Sequence, residues 1–183
     1  ALDPGREGLY RRFFRAARAA GSLAELLESF VSQARKECGL SPCFFIMPLT
    51  PAASAKENHA ACLKCAGSLR RIFPHKMVFS HQQILFVQNI LLPFHNSPET
   101  IRYLESILAP LQSGQQLELI DTLCAYLLDA NGNLDLAANF LMMHKSTVKY
   151  RISRANELLD CDIRRMPEMY NLYLALAVTR LMK

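Results

Sequence analysis

The sequence predicts an α+β chain, mainly α, in which a small antiparallel-sheet β-α-β-β region is followed by an all-α helix-turn-helix domain. Three observations predict it. Apolar residues recur at helical spacing over most of the chain. Around residues 43–48 and 76–89 that period gives way to short continuous apolar runs, which suit buried strands. Residues 133–159 then read as two helices joined by a tight turn. Three regions follow: 1–39, helical and dimerising or regulatory; 40–111, α+β; and 112–183, the helix-turn-helix domain.

Composition sets the bounds. At 183 residues, 51% hydrophobic and 20% charged, the chain has length for a core and the balance of a folded protein. Apolar runs such as Ile84 to Val87 are far too short to span a membrane, so no membrane partner is expected. No signal-peptide pattern opens the chain, which favours a cytoplasmic location. It begins at Ala1 rather than Met, which leaves room for a tag, a processed end or an upstream region. The net charge of +5 leans only weakly toward polyanions. Its placement says more: residues 113–183 carry 8 Lys/Arg against 8 Asp/Glu, yet four of the cations fall between Lys145 and Arg154. A module neutral overall predicts modest non-specific affinity, with local placement steering it.

The first element is a basic amphipathic helix, with Arg6, Arg11, Arg12, Arg15 and Arg18 around Leu9, Phe13 and Phe14. It suits a solvated face over an aromatic seam, or packing in a dimer. Gly21-Ser22 breaks it, and Ser22 with Glu25 forms the capping box of a second helix. Cys43 to Met47, between Pro42 and Pro48, predicts the first strand. Ala55 to Phe73 predicts a helix with Cys62, Cys65, Leu69 and Ile72/Phe73 as its apolar stripe. His59, Cys62, Cys65 and His75 could in principle gather around zinc, but no second paired set of ligands is visible. The stripe reads as core, and the six cysteines as mostly free thiols.

Lys76 to Ser80 and Ile84 to Gln88, separated by His81-Gln82-Gln83, suggest a hairpin that completes β-α-β-β. A Pro-bearing loop leads to a helix over Glu99 to Leu111, and Pro110 to Gln116 has the composition of a boundary. Leu117 to Ala130 opens the last region with Leu117, Ile120, Leu123/Cys124 and Leu127 on one face. Asn131-Gly132 can end that helix, and Asn133 can cap the next, about Leu134 to Leu141. The following helix runs from near His144 to Leu159, with Val148, Ile152, Ala155 and Leu159 as its seam. Cys161 to Met166 connects to a final helix, opened by Pro167-Glu168, whose apolar surface suits either core or a dimer seam.

The small residues Ala137 and Ala138 let a second helix cross closely, and its polar first turn can then enter a major groove. The run from Leu119 to Leu159 resembles the C-terminal DNA-binding domain of PucR-type regulators, the family of purine-catabolism and sugar-diacid activators. The resemblance rests on Thr122-Leu123, Tyr126-Leu127, Asn133, Ala138, Leu141, His144-Lys145, Thr147-Val148 and Tyr150-Arg151. It implies a transcriptional regulator that binds double-stranded DNA, with the helix at about 144–159 as its reader. Lys145, Ser146 and Tyr150 would stand nearest base edges. Lys149, Arg151 and Arg154 would meet phosphates, Thr147 would turn to His144 or to phosphate, and His144 would cap the helix. Met142 stands where many such turns have glycine and reads as a hydrophobic plug.

In PucR-type regulators a degenerate GGDEF-like domain commonly precedes the DNA-binding domain, and residues 40–94 resemble its first half in order and pattern. Ser80-His81-Gln82-Gln83-Ile84 stands where a cyclase would carry its carboxylates, so cyclase activity is not expected. The region reads as truncated, with strand edges that invite pairing with a second chain. The expected assembly is a homodimer on a near-palindromic site, with room for a small-molecule effector. No Gly-rich phosphate loop occurs among seven glycines, and no nucleophile–base or paired-carboxylate arrangement stands out. No catalytic residue, cofactor or metal is therefore expected. The alternative function is a protein–protein interaction module whose helix-turn-helix no longer binds DNA.

Overall fold

The computed structural model describes residues 22–48, 54–95, 97–112 and 116–183. The basic stretch from Arg6 to Arg18 lies outside the described residues. The chain divides into two compact units, one of residues 1–64 and 76–84, the other of residues 65–75 and 85–183.

In the first unit, α1 (Leu23–Cys38) begins with the expected capping box. The Glu25 amide donates to Ser22 Oγ at 3.3 Å, and the Ser22 amide donates to Glu25 Oε2 at 3.0 Å. The helix stops at Gly39, whose φ of 67° lets its amide reach back to Arg35 O at 3.1 Å. Strands β1 (Phe44–Ile46) and β2 (Val78–Ser80) pair in parallel, with Phe44 opposite Val78 and Phe45 opposite Phe79. The connection between them runs through α2 (Ala55–Ile72), the kind of crossover that parallel strands require. The Phe45 and Phe79 rings stack at 5.7 Å, and Phe30 of α1 meets Phe44 edge-on at 5.8 Å.

The expected antiparallel β-α-β-β arrangement is therefore corrected: the described sheet has two strands and is parallel. The segment read as a third strand is helical, as α3 (His81–Phe86), a π-helical stretch Val87–Leu91 and α4 (Leu92–His95). Two physical reasons account for it. The Ser80 amide donates to Gln83 Oε1 at 3.1 Å, half of a Ser-x-x-Gln capping box that starts a helix where a hairpin turn was expected. Ile84, Val87 and Leu91, all fully buried, sit at i, i+3 and i+7, the spacing of one helix face.

Among its described residues the second unit contains helices and no strand. It contains the buried end of α2 (Cys65, Leu69, Ile72, then Phe73), so the apolar stripe of that helix is core as expected. It continues with α5 (Pro98–Gln112), α6 (Leu117–Leu123), a π-helical turn Cys124–Asp129, α7 (Leu134–Leu141), α8 (Lys145–Leu159) and α9 (Glu168–Met182). Pro110 lies inside α5. Helix α9 packs against α5 and the π-helical turn and buries Leu172, Leu174, Leu176, Val178 and Leu181, so its apolar surface is core. Each such side chain, fully buried, contributes about 1.5–3 kcal/mol.

One charged pair sits inside this packing. Arg180 forks onto Asp129, Nη1 to Oδ1 at 2.8 Å and Nη2 to Oδ2 at 2.6 Å, and Nη1 also donates to Ile72 O at 2.6 Å. The Asp129 side chain is 1% exposed, so the bidentate partner offsets its desolvation. Beside it, burial pushes the Cys124 thiol up to about 11, which keeps it protonated and inert at neutral pH.

Candidate nucleic-acid interface

The bihelical unit is built from its caps. Asn133 Oδ1 accepts from the Asp135 amide at 2.9 Å and the Leu136 amide at 3.1 Å, which starts α7 where the sequence placed it. Helix α7 ends at Met142, whose φ of 52° and ψ of 42° are left-handed, and the chain turns at once into α8. His144 caps α8 as expected: its Nδ1 accepts from the Ser146 amide at 3.3 Å and lies 2.7 Å from Ser146 Oγ.

The crossing of the two helices is close because Ala137 and Ala138 are the residues α7 buries. Against them α8 sets Val148, Ile152 and Ala155, also buried. Helix α8 packs on α5, α6 and α7, so its inner side is held by three neighbours. What it leaves outward is Lys145, Ser146, Thr147, Lys149, Tyr150, Ser153, Arg154 and, nearer its end, Glu157, all exposed. Tyr150 is 69% exposed, so its ring stands in solvent on the outward face and is not packed between helices.

The nominated residues separate into two groups. Ser146, Thr147, Lys149 and Tyr150 share the outward face with Arg154, which pairs with Glu157 at 2.8 Å. Lys145 is outward too and ties α8 to α7 through Asp135 at 2.8 Å. Arg151 is different. Its side chain is only 18% exposed, pairs with Glu118 and reaches Thr122 Oγ1 at 3.5 Å. Thr122 is itself fully buried and donates to Glu118 O at 2.7 Å. Arg151 thus clamps α8 to α6. It lies three residues after Val148 and four before Ala155, beside the buried seam, and Glu118 draws it inward.

Two features escaped the sequence. Ser153 shares the outward face, one turn beyond Lys149 and Tyr150, and the signal for it was that same spacing. Met142 is no plug, because its side chain is 93% exposed. The left-handed backbone at that position turns the side chain to solvent, in the conformation glycine takes most easily.

Together these features define a helix-turn-helix: a short capped helix, a left-handed corner and a second helix with one face buried and one presented. Residues 119–178 match the family described as the PucR C-terminal helix-turn-helix domain. No curated protein and no solved structure matches the chain significantly. The matched span runs from within α6 to within α9 and includes both helices of the bihelical unit. Among the described residues no helix is long and apolar enough to cross a membrane.

Proposed function

We propose that the chain is a sequence-specific DNA-binding transcriptional regulator of PucR-like type, with α8 as the helix that enters the major groove. The observation that carries this reading is the outward face of α8, where Ser146, Lys149, Tyr150, Ser153 and Arg154 are presented by a helix anchored on three others. The match over residues 119–178 supports it. Ser146 and Tyr150, near the helix start, are placed to meet base edges, with Ser153 behind them. Lys149 and Arg154 supply phosphate contacts, and Lys145 joins them by exchanging Asp135 for a phosphate. Arg151 acts by holding α8 in place. Binding as a homodimer would let two readers occupy half-sites one helical turn apart, the usual route to useful affinity for one small reading head. On this reading the protein works as a regulator in the cytoplasm and has no catalytic step.

The test is selection of duplexes from a random pool, followed by affinity measurements over a range of salt. Enrichment of a two-fold-symmetric sequence is expected. Lys149→Ala should weaken binding to all sequences alike and reduce the salt slope by about one contact. Tyr150→Ala should instead relax the preference at particular bases. No enrichment even at low salt would sink the proposal.

A further inference from the structure

A cleft of about 440 Å³ lies within the second unit, away from the outward face of α8. Three rings, Tyr126, Tyr170 and Tyr173, and two thioethers, Met166 and Met169, line it together with Ile163 and Leu127. Its volume falls in the range of small-molecule sites, which are mostly apolar with a few placed polar groups. The polar groups here are few: the phenol hydroxyls, Asn131 and Arg164. Burial pushes the Tyr173 phenol up to about 12, so it stays a hydrogen-bond donor throughout the neutral range.

Arg164 decides the charge preference. It pairs with Asp162, Nε to Oδ1 at 3.0 Å, and Arg165 contacts the same carboxylate at 3.5 Å. One carboxylate thus serves two guanidiniums, so Arg164, the charged residue that lines the cleft, is only partly neutralised by it. Tyrosine faces and methionine sulfurs suit a flat π-system, and the guanidinium suits an anionic substituent on it.

We propose that this cleft is a binding site for a small planar aromatic anion. Its walls are made by the two segments that flank the bihelical unit. Asn131 and Gly132 precede the Asn133 cap of α7, and Ile163 follows α8, its amide donating to Asn156 Oδ1 at 3.4 Å. The site does not depend on whether α8 binds DNA, and its test reads ligand binding alone.

The full chain is titrated with anilinonaphthalene sulfonate and, in parallel, with N-phenylnaphthylamine, which has the same ring skeleton without the sulfonate. Saturable binding of one sulfonate per chain is expected, tighter than the uncharged amine by about fivefold, the size of one exposed ion pair. Arg164→Gln should bring the two affinities together. Met169→Trp, which fills the cleft from a half-buried position on α9, should abolish saturable binding. Circular dichroism melts of both variants establish that each is folded. Non-saturable binding, equal affinity for the two probes, or unchanged binding in a folded Met169→Trp protein would each overturn the proposal.

Discussion

Met142 takes a left-handed backbone, at φ 52°, in a corner where its side chain buries almost nothing. For a residue with a Cβ that conformation costs roughly 1–2 kcal/mol, while glycine pays a smaller entropic penalty on folding. Met142→Gly should therefore stabilise the folded chain by about 0.5–1 kcal/mol, the difference between those two costs. Urea denaturation would show it as a higher midpoint with an unchanged slope; an equal or lower midpoint would mean that the exposed thioether is held by something. The same scale shows what the sequence made plain and what it hid. Asn133 and His144 were legible as caps because a cap needs only a short polar side chain beside the first turn. Arg151 was not, because an arginine on a basic helix has two destinations and only the tertiary position of Glu118 chooses between them.

Among the elements, α9 carries an ion pair to a nearly fully buried carboxylate. Arg180 holds a nearly fully buried carboxylate with both of its terminal nitrogens, so its removal strands Asp129 in a low-dielectric site. Arg180→Ala should cost about 3–5 kcal/mol, whereas an Asp129→Leu/Arg180→Met double replacement should recover most of that loss. Denaturant melts of the three proteins make the comparison; a single variant as stable as the parent would show that water reaches the carboxylate. Helices α6 to α9 were legible because their apolar residues repeat over several turns. The stretch after Ser80 was not, because Ile84-Leu85-Phe86-Val87 is apolar at every position and fits either period. The half capping box at Ser80 and Gln83, together with the helical spacing of Ile84, Val87 and Leu91, was the discriminating signal. The parallel pairing of β1 with β2 could not be read locally either, since register across a helical crossover is fixed by packing.

At the scale of the whole molecule the two compact units interleave in sequence, since residues 65–75 belong with residues 85–183 while residues 76–84 do not. The end of α2 supplies the second unit with Cys65, Leu69, Ile72 and Phe73, with His75 stacked on Phe140 at 4.7 Å, and with the Ile72 carbonyl that accepts from Arg180. A fragment that begins at Leu117 would keep the whole matched span from residue 119 to residue 178 and lose all of that, together with the α5 surface on which α8 and α9 rest. It should melt earlier and less cooperatively than the full chain by far-ultraviolet circular dichroism; an unchanged melt would show that the later helices suffice. The helix-turn-helix part is therefore expected to be poorly portable. Recombination, natural or in the laboratory, that moves it as one uninterrupted length of gene must carry the end of α2 along or find another surface to take its place.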